Sequence, residues 1–127
     1  HRVVRDIFER FDSVKLAGFV GFLPMLAEDD HEAAGRQRAE LKDDRVVQRW
    51  SPDRSIGDHF SRTLALTTTA WDVYLAYPPG VAWDSDAPPE PTFWMHQLSA
   101  SDGADQGMRL DPESLTQAIG KLVEPDP

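Results

Sequence analysis

The sequence predicts an α/β fold in which helices cover both faces of a mixed central sheet. Three observations support this expectation: helical and extended patterns alternate along the first half of the chain, two tryptophan-containing extended segments follow one another, and a clearly bounded helix comes last. Alternation favours parallel strands with right-handed crossovers, whereas two successive strands favour an antiparallel hairpin. We therefore expect a three-layer α/β/α sandwich formed by a single domain over residues 1–127.

The first half of the chain predicts two helices and two strands in alternation. Residues 1–11 repeat apolar side chains at spacings of three and four, which is typical of an amphipathic helix. Residues 14–22 contain one charge, Lys15, so both faces of this strand are apolar and we expect both to be buried. A helix with a thin apolar stripe near residues 30–43 and a β-branched strand over 45–50 follow.

The second half predicts a helix, a hairpin and a closing helix. Ser55 can cap a helix whose apolar residues recur at four-residue spacing. Residues 71–77 alternate apolar and other side chains, and residues 92–98 form the next extended segment, so the two are expected to pair antiparallel. Asp111 as N-cap and Pro112 at the first helical position mark the start of the last helix.

Composition excludes several classes of function. The chain has 13 Lys and Arg against 22 Asp and Glu, a formal charge of −9, which argues against nucleic acid and anionic lipid as partners. Without an apolar run of about 20 residues, we expect no membrane insertion and a soluble protein of the cytoplasm or periplasm. The sequence contains no cysteine, which removes disulfides and thiol catalysis from these residues. Oligomeric state is not predicted by these patterns.

The order of elements resembles a thioredoxin fold that lacks its first strand. Three phrases, R-V-V-Q-R-W-S-P-D-R-S-I-G (45–57), A-W-D-V-Y-L-A-Y-P-P-G-V-A-W (70–83) and P-P-E-P-T-F-W-M-H-Q-L (88–98), are similar to a group of bacterial thioredoxin-like proteins of poorly defined function. The resemblance implies that residues 2–11 are the remainder of the first helix. It also implies a redox family whose dithiol precedes that helix.

The chain departs from the thioredoxin pattern at two points, and these departures lead to two alternative functions. The chain has no cysteine, and Thr68, Thr69, Ala70 and Trp71 stand where the family places a proline before its fourth strand. We expect a protein-binding or peptide-binding module, or a scaffold, without a catalytic thiol. The alternative is a thiol-disulfide oxidoreductase whose dithiol lies in an omitted N-terminal segment, because His1 aligns just after the second cysteine and the first helix begins without a cap.

The thioredoxin resemblance also nominates a binding surface. The segment before the fourth strand is where the fold usually meets substrate, and an extended peptide could add there through main-chain hydrogen bonds. The tryptophans could line an aromatic groove, although the sequence favours core and hairpin packing for them. The candidate residues are Trp50, Thr68, Thr69, Ala70, Trp83 and Trp94.

No catalytic, metal or cofactor site is predicted from spacing. The four histidines lack metal-ligand spacing, so the sequence offers only a further alternative, a copper site at a processed His1 with His96 or His59. Paired acids at helix ends and in loops are explained by capping and solvation. Asp72 differs because it interrupts an apolar strand, and a buried carboxylate there would need a partner or a raised pKa.

Overall fold

The computed structural model describes residues 2–12, 15–25, 32–33, 35–36, 41–83 and 87–123. These residues form a mixed α/β structure with small sheets, and the chain divides into two compact units. Unit 1 is His1–Arg54 and unit 2 is Ser55–Pro127. In the part of the chain that is described, no helix combines the length and the apolar character needed to cross a membrane.

Unit 1 is built on a parallel strand pair and one helix. Helix α1 (Arg2–Arg10) buries the inward side of its apolar stripe, as its spacing predicts. Strands β1 (Gly18–Phe22) and β2 (Val46–Trp50) pair in parallel along their whole length, which confirms the parallel pairing expected of the first strand. A Cβ at Gly18 would lie 2.8 Å from the Phe8 ring, so glycine permits this close contact between helix and strand.

The outer face of the parallel pair is exposed. Phe19 on β1 and its register partner Val47 on β2 are 60% and 44% exposed, and burial alternates along both strands. The expectation that both faces of residues 14–22 are buried is therefore wrong for the described residues. Strand structure also begins only at Gly18, because β1 needs β2 as its hydrogen-bonding partner and the pairing starts there.

Half of residues 30–43, where a helix was expected, lies outside the described residues, and residues 41–43 are not helical. Of this segment, 32–33 and 35–36 are helical, and Arg36 and Glu32 form an exposed ion pair at 3.7 Å. Leu41, at the end of the segment, is buried and belongs with Ile7 and Phe8 to the core of unit 1.

Unit 2 begins with helix α2 (Ser55–Thr63), which ends in a left-handed residue. Ala65 has φ 57°, its N–H donates to the Arg62 carbonyl at 3.3 Å, and the Leu66 N–H donates to the Ser61 carbonyl at 2.9 Å. This pair of hydrogen bonds is a Schellman motif, in which glycine is the preferred residue at the left-handed position. Alanine occupies that position here at a steric cost.

The hairpin and the closing helix of unit 2 agree with the sequence pattern. Strands β3 (Val73–Ala76) and β4 (Phe93–His96) pair antiparallel, and helix α3 (Pro112–Val123) starts at its proline and packs on β4. Both strands are shorter than predicted. The buried apolar residues of this unit are Ala70, Ala76, Met95, Leu98, Ala104, Leu115 and Val123.

The loop after β4 is anchored by a fully buried histidine. His96 Nε2 donates to the Asp105 carbonyl at 2.7 Å, and its Nδ1 accepts from the Leu98 N–H at 3.0 Å. Because main-chain groups fix both ring nitrogens, the imidazole is the neutral Nε2–H tautomer. The loop itself, expected to be irregular, contains two 3₁₀ helices, Ala100–Asp102 and Gln106–Met108.

One further expectation stays a prediction and one is corrected. The described strands pair as two small sheets, β1 with β2 and β3 with β4, and a single mixed sheet stays a prediction. Asp72 is exposed and precedes β3 with φ 52°, rather than interrupting a buried strand. Aspartate tolerates this left-handed conformation better than most residues, which explains its place between Trp71 and the strand.

Candidate functional site

The segment 68–70, which the sequence nominates, is held on both sides by helix α2. The Ser61 hydroxyl donates to the Thr68 carbonyl, and the Ala70 N–H donates to the Gly57 carbonyl at 3.0 Å. Between these two anchors, the Thr69 hydroxyl donates to Asp58 Oδ1 at 2.6 Å. Three contacts from one helix therefore fix three consecutive residues.

Thr67, which directly precedes the segment, is hydrogen-bonded to the loop that follows β4. The Thr67 N–H donates to the Asp102 carbonyl at 2.9 Å, and the Thr67 hydroxyl donates to the Ser101 carbonyl at 3.2 Å. Gly103 follows with φ 82°, and an added Cβ there would lie 3.1 Å from Thr67 atoms. Glycine is needed at this position for both its backbone conformation and the close approach of the two loops.

The main chain of Thr69 is open. Within the described residues, neither its N–H nor its C=O makes a hydrogen bond, although the Thr68 carbonyl and the Ala70 N–H on either side are both used. Thr69 is half-buried, and Ala70 is buried. The arrangement presents one adjacent donor and acceptor on a segment that its neighbours hold in place.

Trp83 forms an exposed aromatic patch with two residues of α2. Its ring centroid lies 5.7 Å from that of His59 and 5.5 Å from that of Phe60, both in edge-to-face geometry. Trp83 remains 43% exposed, so part of the indole is open to solvent. We call Trp83, His59 and Phe60 the aromatic patch. Since His59 follows Asp58 directly, α2 carries both this patch and the anchor of Thr69.

His59 is oriented by the next turn of its own helix. Arg62 Nη2 lies 2.8 Å from His59 Nδ1. Because a guanidinium has no acceptor, Nδ1 must accept this hydrogen bond and the ring proton lies on Nε2. The contact fixes the ring beside Trp83.

The other two candidate tryptophans are packed rather than open. Trp94 is half-buried on β4 opposite Leu75, and its ring lies 5.6 Å from that of His96. Trp50 is half-buried at the end of β2 opposite Phe22 and belongs to unit 1. The structure thus brings Thr68, Thr69 and Ala70 together and gives Trp94 a hairpin contact.

The two tyrosines of the hairpin region have raised pKa values. Burial raises the pKa of Tyr74, and the nearby charge of Asp72 adds to this effect. Burial also raises the pKa of Tyr77, whose hydroxyl donates to the Pro89 carbonyl at 2.8 Å. Both phenols stay protonated at neutral pH and act as donors that position the hairpin and the proline-rich loop.

The described residues hold no group of three or more His, Asp or Glu side chains arranged to bind a metal ion. His96 is committed to main-chain partners and His59 to Arg62. His1, the main ligand of the copper alternative, lies outside the described residues, as does His31.

Sequence reasoning missed the contribution of α2 to this site. Asp58 and Ser61 were not singled out, yet they hold Thr69 and Thr68. The four-residue apolar spacing identified Phe60 only as a core-facing residue. No local signal links Phe60 to Trp83, since 22 residues separate them and only the folded chain brings their rings to 5.5 Å.

Comparison of the chain with known proteins finds no matching family model, no matching curated protein and no matching solved structure.

Proposed function

We propose that this chain is a thioredoxin-like protein-binding or peptide-binding module in which an extended peptide pairs with the main chain of Thr69. The observation that carries the proposal is the open N–H and C=O of Thr69 between two anchored neighbours. Strand addition needs such a pair, because the peptide donates to one group and accepts from the other. A strand added at one residue gains affinity when that residue is already ordered.

Anchoring from α2 reduces the entropy cost of binding. An unanchored loop would lose main-chain freedom of about 1–2 kcal/mol per residue when a peptide orders it. Here Ser61, Gly57 and Asp58 already restrict residues 68–70. The free energy gained from two new main-chain hydrogen bonds then contributes to affinity, because little of it is needed to offset the entropy lost on ordering the segment.

The order of elements supports the thioredoxin-like part of the proposal. A parallel pair, β1 and β2, is followed by an antiparallel pair, β3 and β4, and by a closing helix. The Gln97 N–H donates to the Asp72 carbonyl, so by the alternation of an antiparallel ladder the main-chain groups of Val73 and Leu75 point away from β4. This edge of β3 can therefore take a further strand, as a larger mixed sheet requires.

Hydrogen exchange tests the fold proposal. In a thioredoxin-like sheet, the Val73 and Leu75 amides exchange as slowly as the Tyr74 amide, which faces β4. Fast exchange at Val73 and Leu75 with slow exchange at Tyr74 would contradict the thioredoxin-like sheet. The measurement uses the full chain at neutral pH.

Peptide binding is tested by selection followed by amide protection. Peptides of about ten residues, selected from a random library on the full chain, should slow exchange of the Thr69 amide on binding. Thr69→Pro removes the donor and should abolish binding, whereas Thr69→Ser keeps the main chain and the hydroxyl and should bind as the parent does.

If Thr69→Pro fails to fold, hydrogen exchange of the Thr69 amide in the parent chain and in the Ser variant still tests the proposal. The parent chain must show slowed exchange at Thr69 with bound peptide, and the Ser variant must show the same. Selected peptides that leave the Thr69 amide unprotected, or a library that yields no binder, would rule out the proposed site.

A further inference from the structure

We infer that the peptide bound at Thr69 is basic, with a Lys or Arg side chain held between Asp58 and Trp83. This inference rests on the proposed function and names the chemistry of its partner. Three observations carry it: the charge of unit 2, six acidic side chains there that form no ion pair with a described residue, and the placement of Asp58 against Thr69 and of Trp83 against the adjacent His59.

The negative charge of the protein is concentrated in unit 2. Residues 55–127 contain eleven Asp and Glu but only three Lys and Arg, a formal charge of −8 out of the total −9. Unit 1 is close to neutral, with eleven acidic and ten basic residues. An acidic surface attracts cationic partners and repels anionic ones, so the charge of unit 2 selects for a basic peptide.

Six acidic side chains of unit 2 form no ion pair within the part of the chain that the structure describes. None of the following forms an ion pair with any residue that the structure describes: Asp58, Glu90, Asp102, Asp105, Asp111 and Glu113. By contrast, ion pairs do occur in unit 1, between Arg45 and Asp43 and between Arg36 and Glu32. The uncompensated charge of unit 2 is therefore available to a partner.

Asp58 supplies a negative charge, and Trp83 packs an aromatic ring against the next residue of α2, His59. Asp58 uses Oδ1 to accept from Thr69, and in the described structure its Oδ2 has no hydrogen-bond partner. Trp83, packed against the adjacent His59, is partly open to solvent. A cation is attracted both to a carboxylate and to the face of an indole ring.

One positive charge lies next to the aromatic patch and limits where a second cation can bind. Arg62 is the only Lys or Arg between residues 55 and 108, and it is directed to the His59 ring. A bound cation is therefore expected on the Asp58 side of the aromatic patch rather than over His59. The same guanidinium disfavours a second cation at the far side, which restricts recognition to one basic residue at this position.

Matched peptides test the inference. The probes are extended peptides of about nine residues that differ only at the centre, with Arg, Gln or Glu there, titrated into the full chain with tryptophan fluorescence as the signal. At low salt we expect the Arg peptide to bind about tenfold tighter than the Gln peptide and the Glu peptide to bind weakest. The preference should shrink as salt rises from about 20 to 500 mM.

Asp58→Asn separates charge from structure. An asparagine can still accept from the Thr69 hydroxyl through its amide oxygen, so the segment stays anchored while the charge is lost. The variant should reduce the preference for Arg over Gln to about threefold or less, and the readout is the ratio of the two affinities rather than either affinity alone. Glu113→Gln, at the first turn of α3, removes a charge of the same sign elsewhere in unit 2 and should retain the preference.

The outcomes separate this inference from the proposed function. If the Arg and Gln peptides bind equally and both slow exchange of the Thr69 amide, the basic preference is wrong and the binding site stands. If the Glu peptide binds most tightly, the preference is likewise wrong. If no peptide protects the Thr69 amide, both proposals fall.

Discussion

The guanidinium of Arg45 lies over the ring of Phe8, 4.8 Å from its centroid, and donates to the Phe8 carbonyl oxygen at 2.7 Å. The same side chain donates to the Phe11 carbonyl at 2.5 Å, just past the end of α1. It also makes two hydrogen bonds to the Asp43 carboxylate, at 2.9 and 2.6 Å. The residue that precedes β2 therefore supplies donors to carbonyls that the end of α1 leaves without helical partners.

Arg45→Lys should lower the free energy of unfolding clearly, although it keeps the charge. A lysine ammonium cannot bind Asp43 with two parallel bonds and stack on Phe8 at the same time. Arg49→Lys is the matched control, because Arg49 is exposed on β2 and, among the described residues, its side chain donates only to the neighbouring Gln48 carbonyl. Urea unfolding of both variants checks this, and equal midpoints for the two would contradict the role of Arg45.

The Asp43 carboxyl makes the free energy of unfolding depend on pH in the acid range. Its hydrogen bonds from Arg45 lower the pKa of the carboxyl from 3.8 to about 2. Because the pKa is lower in the folded state, this stabilisation is fully present above about pH 4 and is lost as pH falls through 2. The stability difference between the parent and Asp43→Asn should therefore shrink from pH 4 to pH 2. Asp44→Asn, which leaves the Arg45 pair intact, is the control for the loss of one carboxylate.

Ala65→Gly should stabilise unit 2. Ala65 has φ 57°, and a left-handed conformation costs an L-residue roughly 1–2 kcal/mol. Glycine removes that strain but loses more entropy on folding, so we expect a net gain of about 0.5–1 kcal/mol. Gln117→Gly, within the exposed surface of α3, should instead destabilise by about 0.5–1 kcal/mol. A loss of stability in Ala65→Gly would show that the Schellman end is not formed in solution.

Trp94 and Trp83 should differ in their contribution to stability. Trp94 packs in the hairpin beside His96, so Trp94→Ala is expected to cost about 3 kcal/mol. Trp83 is largely supported by edge contacts with His59 and Phe60, so Trp83→Ala is expected to cost only about 1 kcal/mol. Thermal unfolding of the two variants gives the comparison, and a larger loss at Trp83 would place it in the core.

The sequence located most elements because their signals are local. The Pro112 start of α3 and the apolar spacing of α1 both depend on residues within a few positions of each other, and both were predicted correctly. The hairpin pairing of residues 71–77 with 92–98 was predicted, but its strands are only four residues long. Strand ends depend on the partner, which a single segment does not contain.

The candidate site was predicted only in part. Thr68, Thr69 and Ala70 were nominated through a resemblance, and the structure adds the reason that Thr69 is suited to pairing, namely its open main chain between anchored neighbours. Trp94 was nominated on composition, and its ring instead packs beside His96. Composition alone cannot distinguish an exposed tryptophan from a packed one.

By itself, the sequence determined the α/β class, the absence of thiols and the strong acidity of residues 55–127. These properties follow from composition and from the spacing of apolar residues within about one helical turn or along one strand. Tertiary structure alone decided that Asp58 and Ser61 hold the segment 68–70 and that Arg45 reaches the end of α1. Those contacts join residues 7 to 37 positions apart, and their distances are set by packing rather than by any local pattern.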